Sequence, residues 1–224
     1  MEGAGTLALE GTRHRPIVDL ATDLIVGVEM RTAAAEPAAV SALVDTVVRE
    51  LRAAGHPARS WWLAVRPMGL TAEVAVARGA LTGALFSGPR WDLGRRPVVE
   101  VSEQALAAVL RGPLGELRPA PGVRLGLSDL GAGVLRPEEL RHLPLAHVRV
   151  GIDGLELDDP ADAYVLAELV AYAHGLGLEV LADGVETDEQ VAFVADAGIG
   201  LALGYRWGSP GSVAKLVQTW ARAS

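Results

Sequence analysis

Short apolar runs alternate with longer amphipathic stretches along the chain from about Pro16 onward. The apolar runs have the length of buried strands, and the amphipathic stretches repeat their apolar positions at helical spacing. Strands are predicted at residues 61–65, 98–101, 123–127, 147–152, 178–182 and 199–203, and helices at residues 37–53 and 104–110. No low-complexity linker or internal repeat divides this series.

Capping residues mark helix boundaries in the C-terminal half. Asp159 and Pro160 suit the N-cap and first position of a helix. Thr187 and Gln190, three residues later, form a capping-box pattern for the next helix. Ser209-Pro210 is predicted to open the last helix. Residues 69–96, with five glycines, are interpreted as an irregular insertion or a shortened helix.

The alternation of strands and helices predicts an α/β fold. Repeated βα units require a parallel sheet covered by helices. No glycine-rich phosphate loop follows the first strands, so a (β/α)8 barrel is favoured over a doubly wound open sheet. In such barrels, functional side chains gather at the carboxyl ends of the strands.

Composition narrows the function classes further. The chain has 224 residues, no cysteine, and 28 acidic against 20 basic side chains, for a net charge of −8. Disulfides and thiolate metal sites are therefore excluded, and the acidic balance argues against nucleic-acid binding. No apolar run approaches the roughly 20 residues of a membrane span, and residues 1–10 lack a signal-peptide pattern, so we expect a cytoplasmic protein.

Charged side chains dominate the positions where strands should end. These positions are Glu29, Arg66, Glu100, Glu103, Ser128, Asp129, Arg149, Asp183 and Glu186. Buried charges are costly unless they line a solvated mouth, pair with each other or hold a metal. One interpretation is a Mg²⁺ site built from carboxylates. Its ligands would be Glu29, Glu100, Asp129 and Asp183. The alternative is that Arg66 and Arg149 neutralise these carboxylates as ion pairs.

Six segments resemble, in the same order, the motifs of the EAL-domain family of cyclic-di-GMP phosphodiesterases. They are RPIVDLATDLIVGVE at 15–29, EVSE at 100–103, SDLGAG at 128–133, HLPLAHVRV at 142–150, ADGVET at 182–187 and LGYRWGSP at 203–210. The resemblance implies an EAL-type variant (β/α)8 TIM-like barrel, commonly dimeric, with a dinucleotide site at the strand carboxyl ends. We expect an N-terminal tail at residues 1–13 and one barrel domain at residues 14–224.

The chain departs from the family at the implied metal ligands. Glu29 and Glu100 are kept. Arg66 stands where the family has an asparagine, and Ser128 stands where the family has the first aspartate of its DDFG motif. The residual candidates for metal ligands are therefore Glu29, Glu100 and the surviving Asp129. A fixed positive charge at Arg66 opposes a site for two divalent ions. We therefore expect no bound metal or cofactor, and Mg²⁺ or Mn²⁺ only if residual phosphodiesterase activity exists.

The chain also departs from the family at the implied catalytic and substrate-binding positions. The family's lysine is Arg149, and guanidinium stays protonated where lysine can help to activate water. The substrate-binding arginine falls on Ala33, and the glutamine before Gly-Tyr falls on Leu203. Arg31 points to the same face as Glu29 if regular strand alternation holds. No catalytic residue is expected.

We therefore expect an inactive EAL-like barrel that acts as a regulatory module binding a ligand or partner. The expected ligand-binding residues are Glu29, Arg66, Glu100, Asp129, Arg149, Asp183, Glu186 and Trp207. The alternatives are a cyclic-di-GMP receptor without turnover that binds phosphate through Arg66 and Arg149, a weak phosphodiesterase, and a pocket repurposed for another small molecule. A protein partner and a homodimer are also expected.

The tryptophans and histidines are predicted to act mainly in packing or to lie at the surface. Trp61 and Trp62 should send one ring to each face of a strand and contribute to packing. Trp207 is interpreted either as an aromatic lid over the ligand or as a packing residue. The five histidines show no metal-binding spacing and are interpreted as surface or satisfied residues. They are His14, His56, His142, His147 and His174.

Overall fold

Eight strands close into a barrel in chain order. The computed structural model describes residues 12–34, 36–53, 62–82, 97–111, 124–130, 135, 137–143, 145–212 and 214–216. The strands are β1 (Arg13–Asp19), β2 (Leu24–Thr32), β3 (Trp62–Pro67), β4 (Val98–Ser102), β5 (Arg124–Ser128), β6 (Leu145–Gly151), β7 (Glu179–Asp183) and β8 (Leu201–Leu203). The predicted TIM-like barrel is confirmed.

Helices follow most of the strands and cover the barrel. They are α1 (Pro37–Ala53), α2 (Leu70–Thr82), α3 (Glu103–Leu110), α4 (Pro137–Arg141), α5 (Pro160–Gly175) and α6 (Asp188–Asp196), followed by a 3-10 turn at Tyr205–Trp207. The Asp159 carboxylate caps α5 by accepting from the Ala161 amide. Thr187 and Gln190 form the predicted capping box of α6. No helix in the described ranges has the length and hydropathy to cross a bilayer.

The first strand runs against its neighbours. β1 pairs antiparallel with both β2 and β8, whereas the other neighbouring strands pair in parallel. The beginning of β1 therefore lies beside the carboxyl ends of the other strands, and Arg15 pairs in register with Glu29. The antiparallel orientation therefore places the Arg15 side chain at the barrel mouth, although Arg15 lies near the start of β1.

Apolar side chains fill the lower part of the barrel. A cluster inside it contains Ile17, Trp62, Ala64, Val98, Ala146, Leu181 and Leu203. Gly27 lets β2 approach this cluster, because a Cβ there would lie 2.4 Å from the Trp62 Cβ. Arg15 lies two residues before Ile17 of this cluster, and Glu100 and Asp183 lie two residues after Val98 and Leu181. Strand alternation therefore places all three charged residues on the same inner face. The interior is consequently apolar below and ionic at the mouth.

Two sequence predictions change in the structure. Ser209-Pro210 does not open a helix directly, because the following Gly211 exchanges two backbone hydrogen bonds with His14, N···O 2.9 and 3.0 Å. The described residues that are helical after this pair are 214–216. Residues 70–82, within the stretch interpreted as an irregular insertion or a shortened helix, form a regular helix, whereas residues 83–96 lie outside the described residues. Trp61, His56 and residues 1–11 of the predicted tail also lie outside them, and Trp62 is buried.

Candidate functional site

Charged side chains that are almost completely buried converge at the mouth of the barrel. Glu29 and Glu100 have no exposed surface, Arg149 is 1% exposed and Arg15 is 7% exposed. Asp183, at the end of β7, lies just above them and keeps 16% of its side chain exposed. Charges buried this deeply persist only when each is paired.

Arg149 lies at the centre of this group. Its Nη1 atom is 2.7 Å from Oε1 of Glu29 and 2.8 Å from Oδ2 of Asp183. Its Nη2 atom contacts Oε2 of Glu100. One guanidinium on β6 therefore joins carboxylates from β2, β4 and β7, and strand alternation brings it to the inner face.

Arg15 makes a second set of ion pairs from β1. Its Nε and Nη2 atoms donate to the two Glu29 oxygens at 2.6 and 3.1 Å. Its Nη1 and Nη2 atoms donate to the two Asp183 oxygens at 2.8 and 3.1 Å. Both contacts are bidentate, the strongest geometry for an arginine and a carboxylate. Together, Arg15 and Arg149 engage both oxygens of each of these carboxylates.

His147 holds Glu100 from below. Its Nε2 atom lies 2.6 Å from Oε1 of Glu100, and both side chains are fully buried. Gly126 on the neighbouring strand provides the space, because a Cβ there would lie 2.7 Å from the imidazole ring. The Trp62 ring lies beside the imidazole at a centroid distance of 5.2 Å. The contact orients Glu100 toward Arg149.

The ion pairs shift the acidities of their members. Burial opposes ionisation of Glu100, but the charge of Arg149 and the hydrogen bond with His147 outweigh burial and lower its pKa to about 2. Burial likewise opposes ionisation of Asp183, yet Arg149 and Arg15 lower its pKa. Glu29 and Asp183 outweigh burial at Arg15, and Glu100, Glu29 and Asp183 outweigh it at Arg149, so the pKa of both guanidinium groups is raised. All these groups are charged at neutral pH.

Arg66 lies at the rim, where the ion pairs are looser. Its Nη1 atom is 3.3 Å from Oδ2 of Asp183, and its Nη2 atom is 3.7 Å from Oδ2 of Asp129. Asp129 follows β5 with a positive φ of 58° and an exposed side chain, while Ser128 before it is buried. Asp129 is thus directed toward solvent and Arg66, away from the buried carboxylates.

A cleft of about 310 Å³ opens above the buried ion pairs. Of the predicted ligand-binding residues, it is lined by Arg66, Asp129, Arg149, Asp183 and Glu186. The remaining carboxylates, Glu29 and Glu100, lie beneath its floor. Among the described residues, no three Asp, Glu or His side chains form a group suited to holding a metal ion.

Trp207 lies elsewhere, so its predicted place beside the ligand pocket does not match the structure. Its indole Nε1 donates to Oδ1 of Asp23 at 3.0 Å, and its ring packs against the core. It lines a separate pocket together with His14, Pro16 and Ile25. The packing interpretation of Trp207 therefore fits better than the lid.

Three site residues escaped the sequence prediction or were left undecided. Arg15 is not among the predicted residues, because the prediction considers the carboxyl ends of strands and β1 runs antiparallel to its neighbours. His147 is a satisfied histidine, as one of the two predicted alternatives has it, but its pairing with Glu100 at the site is not predicted from the sequence. Arg31 lines the cleft and shares the inner face with Glu29, as regular alternation requires.

Comparison with known proteins agrees with the barrel. The EAL domain family model matches residues 93–210. The cyclic di-GMP phosphodiesterase NbdA of Pseudomonas aeruginosa is 35% identical over 123 residues, which cover 53% of this chain and 16% of that protein. The chain thus matches a small part of its curated relative's length.

Solved structures show the same fold over nearly the whole chain. The EAL domain of Mycobacterium smegmatis DcpA superposes with a TM-score of 0.67 at 19% identity, covering 95% of this chain and 97% of that one. The EAL domain of Pseudomonas aeruginosa FimX, solved bound to c-di-GMP, superposes with a TM-score of 0.58 at 17% identity, covering 95% and 97%. At these identities, the likeness concerns the fold.

Proposed function

Because the chain belongs to the EAL-domain family, we propose that it is a catalytically inactive member that works as a regulatory module. In this proposal, guanidinium groups hold the interior carboxylates in the place of divalent cations. The module then acts by binding a ligand or a protein partner. Its matched relative NbdA is a cyclic di-GMP phosphodiesterase, so the proposal is that this chain keeps the barrel without the hydrolysis.

The position of Arg149 among three carboxylates carries the proposal. Its two terminal nitrogens contact Glu29, Glu100 and Asp183, and the group is 1% exposed. A divalent cation held by the same oxygens would lie within about 4 Å of this charge. Repulsion at that distance is about 4 kcal/mol for each unit of charge at an effective dielectric constant of about 20. The donor set therefore does not fit the metal ions that the family resemblance implies.

Arg149 also lacks the chemistry needed to activate water. A group that takes a proton from water must be able to exist without its own proton. Although burial opposes the charge of Arg149, Glu100, Glu29 and Asp183 outweigh burial and raise its pKa. Arginine at this position therefore serves as a permanent cation, and a lysine there would not be equivalent.

The test is a hydrolysis assay on the purified protein. Cyclic-di-GMP is incubated with Mg²⁺ or Mn²⁺, and the products are separated by chromatography, with an active EAL phosphodiesterase as positive control. We expect the cyclic dinucleotide to remain intact under conditions in which the control consumes it. Formation of the linear dinucleotide that requires metal and stops with a chelator would overturn the proposal in favour of a weak phosphodiesterase.

A second candidate is a cyclic-di-GMP receptor without turnover. It is favoured by Arg31 and Arg66, which both line the cleft, and it is weakened by Ala33 at the implied substrate-binding arginine. Calorimetric titration of cyclic-di-GMP, with the ligand checked afterwards, tests it. Saturable binding with intact ligand supports the receptor, and no binding directs attention to another small molecule or a protein partner.

A homodimer and a cytoplasmic location are parts of the same proposal. EAL-type barrels are commonly dimeric by family resemblance, and a regulatory module can transmit ligand binding through such a contact. Light scattering on the eluting protein measures its mass directly. A mass of twice 23.4 kDa supports the dimer, and a monomer at micromolar concentration contradicts it.

A further inference from the structure

A cavity of about 200 Å³ lies on the outer side of the barrel, between β1 and α1. Neighbouring residues of a strand point to opposite faces, so His14 faces outward where Arg15 faces the ionic mouth. The wall of the cavity includes His14, Leu43, Thr46, Val47, Glu50 and Ser212. None of these residues lines the cleft at the barrel mouth, so the two sites are separate.

His14 brings one hydrogen-bonded and one unpaired ring nitrogen to this cavity. Its Nδ1 atom lies 3.1 Å from the backbone oxygen of Gly211. A carbonyl oxygen can only accept a hydrogen bond, so Nδ1 carries the ring proton. Burial outweighs this hydrogen bond and the charge of Glu29, and it lowers the pKa of His14. The ring is therefore neutral at neutral pH, and Nε2 keeps an unprotonated lone pair.

The Nε2 lone pair has no partner within the protein. The His14 side chain is 6% exposed, and its Nε2 atom is buried without a hydrogen bond to any described residue. A buried acceptor without a donor lowers stability, because it has lost its contact with water and gained nothing in exchange. An N–H or O–H group that reaches this nitrogen from the cavity would remove the cost.

Glu50 adds a second acceptor at the exposed edge of the cavity. Its side chain is exposed, and no described residue forms an ion pair with it. Thr46 beside it is already engaged, because its Oγ1 atom donates to the Ala42 carbonyl and accepts from Nη2 of Arg49, both at 3.0 Å. The cavity therefore offers one neutral acceptor and one negative acceptor, and no arginine or lysine lines it.

The remaining wall limits the size and character of a ligand. Leu43 and Val47 of α1 are buried and give the cavity an apolar side. Pockets for drug-sized ligands measure about 300–1,000 Å³, so this one suits a smaller molecule. His14 also lines the smaller pocket beside Trp207, but that pocket contains Lys215 and no carboxylate. A cation is therefore matched by the larger cavity.

We infer that this cavity binds a small organic ammonium ion, which donates to His14 Nε2 and to the Glu50 carboxylate and packs its apolar body against Leu43 and Val47. An ammonium group has donors and no acceptor, which complements the two unpaired acceptors. Its hydrogen bond to a carboxylate is charge-assisted. The site goes beyond the proposed function and does not depend on it, because it shares no residue with the cleft.

Benzylamine is the probe, since it carries an ammonium group on an apolar ring at neutral pH. It is titrated into the full chain at constant ionic strength, and binding is followed by calorimetry and by the NMR signals of the histidine ring nitrogens. Benzyl alcohol keeps a donor without the charge, and benzoate reverses the charge. We expect saturable binding of benzylamine, about tenfold weaker binding of benzyl alcohol, and no binding of benzoate.

Substitutions separate the two acceptors. Glu50→Gln should weaken benzylamine binding about tenfold and leave benzyl alcohol binding unchanged. Glu168→Gln is the matched control at an exposed position of α5, and it should change neither affinity. His14→Phe should weaken the binding of both probes. If that variant does not fold, Ala214→Phe, which narrows the cavity from an exposed position, should abolish both.

Three results would overturn the assignment. The first is the absence of saturable benzylamine binding, or equal affinity in Glu50→Gln and the parent. The second is equal affinity of the parent for benzylamine and benzyl alcohol, which would reject an ammonium ligand. The third is a His14 Nε2 signal that does not move as benzylamine saturates the protein, which would place the probe elsewhere.

Discussion

Replacing Arg149 with methionine removes the cation at the centre of the buried ion pairs. The substitution keeps a long side chain but leaves Glu100 with only His147 as a paired partner among the described residues, and it weakens the compensation of Glu29 and Asp183. Breaking a buried pair by removing one member costs about 3–5 kcal/mol. Since whole domains are stable by about 5–15 kcal/mol, Arg149→Met should bring this one close to its unfolding threshold at neutral pH.

The lowered pKa of Glu100 gives a second, independent value for the free energy by which the buried ion pairs stabilise the fold. Its pKa falls from a usual 4.5 to about 2, and a tenfold change in an acid constant is worth about 1.4 kcal/mol, which gives roughly 3 kcal/mol. Because the folded-state pKa is depressed, this stability is present above pH 4.5 and is lost as pH falls toward 2. The difference between Arg149→Met and the parent should therefore shrink across that window.

Urea unfolding followed by circular dichroism at pH 7 and at pH 3.5 measures both effects. Arg206→Met is the matched control, because Arg206 also lies 2.6 Å from a carboxylate, that of Asp188, but both side chains are exposed. Exposed pairs contribute about 0–1 kcal/mol. If Arg149→Met does not fold, Arg149→Lys should show a smaller loss with the same pH dependence. A loss at Arg149 no larger than at Arg206, or one independent of pH, would refute the reasoning.

Two other substitutions test the neighbouring contacts. Arg31→Met should raise the free energy of unfolding by about 1 kcal/mol, because it removes a buried unpaired donor and a like charge beside Arg66; a less stable variant in urea unfolding contradicts this. Gly126→Ala should cost about 1–3 kcal/mol, because the new Cβ would lie 2.7 Å from the His147 ring. Gly175→Ala is its control, with open space at the Cβ position, and equal melting temperatures for the two variants would contradict the close contact.

Sequence patterns were most informative where one local rule decides the structure. The helix predicted at residues 37–53 has those bounds in the structure, and the caps at Asp159 and Thr187 make the expected hydrogen bonds. These features depend on apolar spacing and on one side chain meeting a nearby amide. Ser209-Pro210 shows the limit, because the strand-like pairing of Gly211 with His14 overrides a local helix-start signal.

The site was harder to predict than the fold because its members meet through the barrel topology. Strand carboxyl ends pointed to Arg66, Asp183 and Arg149, which the structure does bring together. Arg15 could be found only by knowing that β1 runs antiparallel, so that the start of this strand lies at the mouth. The bidentate contacts of Arg15 likewise depend on distant register, which no local pattern encodes.

The central claim is that guanidinium groups occupy the place of the metal ions, and Mn²⁺ binding tests it most directly. Electron paramagnetic resonance of free Mn²⁺ is measured during titration of the parent protein and of variants. Two variants are compared with the parent. The first is the triple variant Arg66→Asn, Ser128→Asp and Arg149→Lys, and the second adds Arg15→Gln to these three substitutions. The account predicts no stoichiometric Mn²⁺ site in the parent and tightest binding when Arg15 is also replaced. Stoichiometric, micromolar Mn²⁺ binding by the parent, abolished by Glu29→Gln, would contradict it.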